Sequence, residues 1–252
     1  ITEACNLRCK YCYQQNNDYP KTFMTEAVAT KSLDMLFQNA IKTNQKEVDI
    51  TLFGGEPLLN PYIIEYIFDY GLKKQKQTGI DFSASIITNG TQMNGYIEWI
   101  FMEYKDKVNL NCQLSIDGIK EVHDSNRIDI KGKGSFNKIE KNVNVFKKIF
   151  QKEPDRLSVH GCISKESLPY LYDSYMFFLK EWGIKNIWFM PIHEEEWTSS
   201  DVELYDKLMG EIFDYIKDNI TKEDYNMLRI FSPMNRCLKP LKQFDAPCGA
   251  GK

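Results

Sequence analysis

Residues 4–13 read ACNLRCKYCY, which sets Cys5, Cys9 and Cys12 in the spacing C-x-x-x-C-x-x-C. Three thiolates this close can hold three irons of a four-iron cluster and leave the fourth iron without a protein ligand. A cluster that only carries electrons is normally closed by four cysteines. An open iron on a loop is a place to bind and reduce another molecule. The competing reading is a structural zinc knuckle. Zinc closes four corners, and no further Cys or His lies near enough in sequence to be an obvious fourth.

Outward from this loop, extended and helical patterns alternate to the end of the chain. Ile1–Thr2 reads as the tail of a strand. Further strands are expected over Val48–Phe53, Phe82–Ile87, Val108–Ile116, Leu157–Ile163 and Ile187–Ile192. Helical periodicity follows Thr25 and recurs over 61–74, 95–104, 136–150, 168–182, 201–219 and 223–231. Gly183 is placed as a C-terminal cap of the 168–182 helix. Strands separated by helices mean parallel pairing, hence an α/β fold. Six strands favour a partial (β/α)6 TIM-like barrel, truncated at both ends, over a doubly wound open sheet. Both place ligands at the carboxyl ends of strands.

Composition narrows the partners. The chain has 252 residues, with 32 Lys plus Arg against 35 Asp plus Glu and a formal charge of −3. No basic tract points to nucleic acid, and no apolar stretch is long enough for a membrane span. Seven cysteines, three of them in the first dozen positions, argue for metal or catalytic use in a reducing cytoplasm.

Each expected strand ends in a small or polar cluster. These are Gly54-Gly55-Glu56-Pro57, Thr88-Asn89-Gly90, Ser115-Ile116-Asp117-Gly118, Ile163-Ser164-Lys165 and Pro191-Ile192-His193. In a barrel they converge on one mouth. The isolated bland readings are a turn for Thr88-Asn89-Gly90, core filling for Cys112 and Cys162, a hydrogen-bonded strand residue for His160, and a solvated loop for Glu194-Glu195-Glu196. His193 reaches the mouth as a candidate substrate contact.

The cysteine triplet followed by Gly-Gly-Glu-Pro resembles the radical S-adenosylmethionine (SAM) enzymes, over nearly the whole chain. The resemblance implies a [4Fe–4S] cluster on Cys5, Cys9 and Cys12, which are then the catalytic and metal-binding residues. It implies SAM on the fourth iron, reductively cleaved to a 5′-deoxyadenosyl radical that takes a hydrogen atom from the substrate. Gly54 and Gly55 then let backbone approach the SAM ammonium, beside Glu56 and Pro57. Tyr11 packs near the adenine, and Thr88, Asn89, Ser115 and Asp117 join the cofactor-binding set. Arg127 pairs with the SAM carboxylate, and Ile163 packs on adenine.

The run Cys248-Gly249-Ala250-Gly251 resembles the opening of the SPASM extension, whose relatives modify peptides and proteins. On that likeness, residues 1–235 form the core barrel and residues 236–252 begin the extension, in a fragment of a longer enzyme. Auxiliary [4Fe–4S] clusters would belong to the full-length parent. The implied partners are a peptide or protein substrate and a low-potential electron donor such as flavodoxin or ferredoxin, without nucleic acid or membrane. An anaerobic sulfatase maturase making formylglycine is the alternative in the same chemistry. A non-catalytic iron–sulfur or zinc module is the alternative outside it.

Overall fold

Short aliphatic runs bounded by amphipathic helices give five parallel strands in a computed structural model that describes residues 1–14 and 21–220. They are β1 (Glu47–Leu52), β2 (Asp81–Thr88), β3 (Asn111–Ser115), β4 (Leu157–Ile163) and β5 (Asn186–Pro191), hydrogen-bonded in chain order. Helix α1 (Glu26–Lys42) precedes the sheet. Crossovers run through α2 (Pro61–Thr78), α3 (Gly95–Tyr104), the pair α4 (Lys120–Asn126) and α5 (Phe136–Ile149), and α6 (Leu171–Met176); α7 (Ser199–Asn219) follows β5. The expected α/β, partial-barrel class holds. Among the described residues, no helix is long and apolar enough to cross a membrane.

The two faces of the sheet differ in chemistry, and that difference positions the site. Phe82, Ala84 and Ile86 of β2, Cys112 and Leu114 of β3 and Val159 of β4 are fully buried in the core. The alternate positions Ile87, Gln113, Ser115, His160, Cys162 and Trp188 line a cavity instead. Barrel interiors are usually packed with branched aliphatics. This one is half polar, and it stays open.

Helices lock to one another through polar rungs as well as apolar ones. Tyr62, Tyr66 and Tyr70, one turn apart on α2, meet Glu26, Thr30 and Asp34, one turn apart on α1. The i, i+4 spacing on both helices makes this ladder possible. At the start of α7, Thr198 and Asp201 form a capping box. Gly183 takes φ +67° just past the helical stretch, as its sequence position requires. Ahead of it the expected single helix divides into a 3-10 turn (Leu168–Tyr170), α6 and a π-helical turn (Phe177–Glu181).

Two expectations are corrected. Lys120–Asn126 is helical, a segment to which the sequence reading assigned no element. The strand expected at Ile1–Thr2 is replaced by one antiparallel bridge from Thr2 to Phe23. The arm still tracks the end of β1: Ile1 N donates to Phe53 O at 2.7 Å, Gly55 N to Thr2 O at 2.7 Å, and Glu56 N to Ala4 O at 2.8 Å. Residues 1–4 thus run beside the end of β1, and the cysteine loop follows from Cys5. The helix expected at 223–231, Cys237 and the Cys248–Gly251 run lie outside the described residues.

Phe101 on α3 has no solvent exposure and packs edge-on against Phe146 and Phe150, with ring centroids 5.6 and 6.2 Å away. Phe101→Ala should cost about 3–5 kcal/mol, the usual cost of an emptied aromatic site. Chemical denaturation followed by circular dichroism measures it.

Candidate functional site

A cavity of about 600 Å³ opens at the carboxyl ends of the strands, lined by Cys5, Cys9 and Cys12 together with Gly54, Gly55, Thr88, Asn89, Ser115 and Arg127. The cysteine loop is pinned on both flanks. On one side Arg8 N donates to Ile128 O at 2.7 Å and Lys10 N to Asn126 O at 3.0 Å, with Leu7 bridged to Asp129. On the other, Asn6 Nδ2 donates to Thr91 Oγ1 at 2.7 Å and Asn6 Oδ1 accepts from Asn89 Nδ2 at 2.9 Å. Cys5 Sγ receives Leu7 N at 3.4 Å and Asn89 Nδ2 at 3.9 Å. Donors of this kind tune the potential of a sulfur-ligated cluster. Asn6 and Thr91 escaped the sequence reading; their only signal was adjacency to Cys5 and to Gly90.

The donor set suits a polynuclear group better than a single ion. A zinc with bonds of about 2.3 Å to sulfur would draw its thiolates to within about 4 Å of one another. Among the described residues, no three His, Cys, Asp or Glu side chains form a cage for one ion. The three thiols nevertheless share one cavity wall, so each could meet a different iron. Burial raises Cys5 and pushes Cys9 up to about 12, opposed at Cys9 by the Arg127 charge. Unliganded, these thiols keep their protons at neutral pH. Metal binding would release them, since the thiolate is the ligand.

Gly54 and Gly55 are explained by the protein itself. A Cβ on Gly54 would stand 2.2 Å from Thr2 O, and one on Gly55 2.2 Å from Ala4 O. The absent side chains let the arm that carries the cysteine loop lie flat on this turn. Both glycines also line the cavity, so room for a ligand's ammonium is a second use of the same gap.

Glu56 is buried and acts as a clamp. Its Oε1 accepts from Leu58 N at 2.9 Å and Thr88 Oγ1 at 2.7 Å, and its Oε2 from Asn89 N at 2.7 Å. It thus joins the turn after β1 to the end of β2. Burial pushes its carboxyl up to about 7, against the downward pull of those three donors. Pro57, also buried, starts the short 3-10 turn that Glu56 caps.

Behind the cavity wall, Asp117 is the hub of a buried network. It accepts Tyr11 OH at 2.7–2.8 Å, Arg127 Nε at 2.9 Å and Cys162 N at 3.0 Å. The Arg127 guanidinium lies 5.4 Å from the Tyr11 ring centre, within cation–π range. Burial opposes the Arg127 charge most strongly, but Asp117 together with Tyr11, Cys9 and Cys162 overcomes it, and the proton is held more firmly than usual. Burial likewise keeps the Tyr11 phenol protonated. His123 braces the same residue: Asp117 N approaches its Nδ1 at 3.4 Å, so its Nε2 donates to Ser135 Oγ at 2.8 Å, and that hydroxyl donates to Arg127 O at 2.7 Å. This tautomer is assigned from the hydrogen-bond pattern.

The expected residues therefore divide. Thr88, Asn89, Ser115 and Arg127 line the cavity with the cysteines, the glycines and Tyr11. Asp117, Glu56 and Pro57 are buried behind the wall. Ile163, expected against adenine, is 2% exposed, belongs to the core and does not line the cavity. Arg127, expected to pair with a ligand carboxylate, already gives its Nε to Asp117. His193 is exposed and off the cavity. Cys162, expected in the core, is half-buried on the wall. His160 stacks on Trp188 with 4.5 Å between ring centres, and Gln113 Nε2 lies 3.4 Å from its Nδ1. Gln113 and Trp188 were missed as site residues. The period-two alternation of polar groups at 113/115 and 160/162 was the available signal.

Residues 1–167 match the family model of the radical SAM superfamily. The chain belongs to that superfamily. It is 29% identical over 225 residues to a cysteine-type anaerobic sulfatase-maturating enzyme of Clostridium novyi, covering 85% of this chain and 57% of that protein. It is 33% identical over 199 residues to a serine-type anaerobic sulfatase-maturating enzyme of Bacteroides thetaiotaomicron, covering 77% of this chain and 45% of that protein. Among solved structures, native anSMEcpe with bound AdoMet and Cp18Cys peptide superposes with a TM-score of 0.73 at 23% identity, covering 92% of this chain and 62% of that one. This radical SAM chain thus spans about half the length of the curated relatives it matches. The family's cofactors are a [4Fe–4S] cluster and SAM, and the solved neighbour shares the fold.

Two outcomes follow from the buried carboxylates. Asp117→Ala strands the Arg127 charge and should cost about 3–5 kcal/mol of stability, read by denaturant titration. Glu56 has its folded-state pKa raised to about 7, so its contribution is full below pH 4.5 and fades as pH rises through 7. Wild type should therefore lose stability relative to Glu56→Gln between those pH values, by an amount on the order of 3 kcal/mol. Denaturation of both proteins at several pH values measures it.

Proposed function

We propose that this chain is the core of a radical SAM enzyme that modifies a residue in a peptide or protein. The observation that carries the reading is one cavity walled on one side by the three loop cysteines and on another by the polar floor Gln113, His160 and Trp188. Bound cluster and SAM supply a one-electron reduction of the sulfonium and, from it, a carbon radical able to remove a hydrogen atom.

The chain's own residues hold and orient. Cys5, Cys9 and Cys12 hold the cluster, with Asn89 donating toward Cys5. Gly54 and Gly55 keep the wall open for the methionine end of SAM, and Glu56 fixes their turn. Ser115 and Arg127 offer polar groups to the ligand. Tyr11, tied to Asp117, sets the loop against β3 and β4. Gln113, His160 and Trp188 receive the target residue. A reducing cytoplasm fits this use of cysteine, since Cys5, Cys9, Cys12, Cys112 and Cys162 are all free thiols. Residues 1–235 are read as the core and 236–252 as the start of a SPASM-type extension, supported by the Cys248-Gly249-Ala250-Gly251 run.

Formylglycine formation on a sulfatase is the second reading, favoured by the names of the two relatives above. The third, a non-catalytic iron–sulfur or zinc module, gives no account of the cavity. The protein reconstituted anaerobically should bind about four irons per chain, and dithionite should drive SAM cleavage to 5′-deoxyadenosine. Cys9→Ala should reduce cleavage to background; a variant that cleaves SAM like wild type removes the proposal. Mass spectrometry of a sulfatase-derived peptide after turnover separates the first two readings, because formylglycine has a defined mass change.

A further inference from the structure

The outer faces of α2 and α3 join large exposed rings to carboxylates. Tyr62 is 59% exposed, Tyr96 40%, Trp99 44% and Met102 48%. Tyr96, Trp99 and Met102 follow one another at three-residue spacing, which puts them on one face of α3. Scattered apolar side chains are ordinary on a protein surface, but a contiguous group marks an interaction site. Phenols tie the two helices together: Tyr96 OH donates to Glu65, and Tyr104 OH to Asp69 Oδ1 at 2.6 Å. Trp99 lies parallel to the Tyr96 ring with centres 6.0 Å apart, and edge-on to Tyr104 at 6.1 Å. Residues 61–72 and 94–104 contain Glu65, Asp69, Glu98 and Glu103 and no Lys, Arg or His. A phenol donating to a carboxylate leaves its charge in place, so the patch stays anionic.

Lysines gather at the opposite end of the same helices: Lys73, Lys74 and Lys76 on α2, and Lys105 and Lys107 after Tyr104, where Lys107 pairs with Glu103. In a βα unit the helix starts at the carboxyl end of the strand before it. Tyr62, Glu65, Tyr96 and Glu98, in the first two turns of α2 and α3, therefore lie toward the cavity mouth. Ring faces and carboxylates together recognise an ammonium or guanidinium. A second copy would set like charges against each other, and an anionic lipid surface or nucleic acid would be repelled. We propose that this face docks a Lys- or Arg-bearing segment of the peptide substrate, flanking the residue that enters the cavity. The proposal rests on the function proposed above and names what holds the substrate outside the cavity.

The test measures binding of a fluorescently labelled sulfatase-derived peptide to reconstituted holoprotein by anisotropy at about 50 mM salt, where surface charge is weakly screened. The peptide carries an Arg-Ala-Arg-Ala tail, a Glu-Ala-Glu-Ala tail or no tail. The basic tail should lower Kd about tenfold, and the acidic tail should not. Trp99→Ala should abolish that gain, and so should Glu65→Gln/Glu98→Gln, which keeps side-chain shape. Glu203→Gln/Asp206→Asn removes the same charge from exposed sites on α7 and should leave the gain intact. A gain that survives in both face variants overturns the proposal. So does a gain lost equally in the α7 variant, which reads as general charge attraction. A dimer in sedimentation that Trp99→Ala dissolves gives the face to a second copy instead. All variants should cleave SAM with dithionite like wild type, because none of these residues lines the cavity. Failure of wild type to cleave SAM removes the proposed function; normal cleavage without a tail effect removes only this inference.

Discussion

One carboxylate ties the cysteine loop to the sheet. Asp117, at the end of β3, takes a phenol from the loop, a guanidinium from the segment after α4 and a backbone amide from β4. No other buried charge in the described structure meets so many separate elements. A buried ion pair of this kind contributes little net stability, because desolvation cancels most of the attraction. Its value is geometric. Tyr11 sits between two of the three cysteines, so the position of its hydroxyl sets where Cys9 and Cys12 face.

The glycine pair shows how one local feature serves two levels of structure. Read as a motif, Gly54-Gly55 suggests an open approach for a ligand. Read from the backbone, it is the landing strip of the N-terminal arm, whose carbonyls would collide with any Cβ there. Docking of the arm carries Cys5 to the wall, and the same turn, clamped by Glu56, reaches the end of β2 through Thr88 and Asn89. Arm, turn and strand end thereby become one rigid edge of the cavity.

Much of this was legible in the sequence. The cysteine spacing, the strand–helix alternation and the strand-end clusters carried the α/β class and most of the wall. What stayed hidden depended on contacts between distant segments. Ile163 looked like a wall residue because it ends β4, but parity puts it on the core face, while Cys162 beside it faces the cavity. Arg127 looked available for a ligand because its partner, Asp117, is ten positions away across a helix that the sequence reading did not assign. His160 and Trp188 were unremarkable singly; only the β4–β5 register, which sets them side by side, makes a stacked pair.

The electrostatics of the loop set a condition on the proposed role of its cysteines as cluster ligands. Burial favours protonated thiols at Cys5 and Cys9, and neutral sulfur is a poor ligand. The energy needed to ionise them must come from binding, as it does wherever folding and metal binding are coupled. Arg127 assists at Cys9, where its charge opposes the effect of burial, and Asp117 keeps that guanidinium in place. The loop thus sets Cys9 buried beside a fixed cation, with Cys5 and Cys12 half-buried on the cavity and the backbone held by bonds to 126–129. A loop already held in place would present its three sulfurs to a cluster without further ordering of the chain.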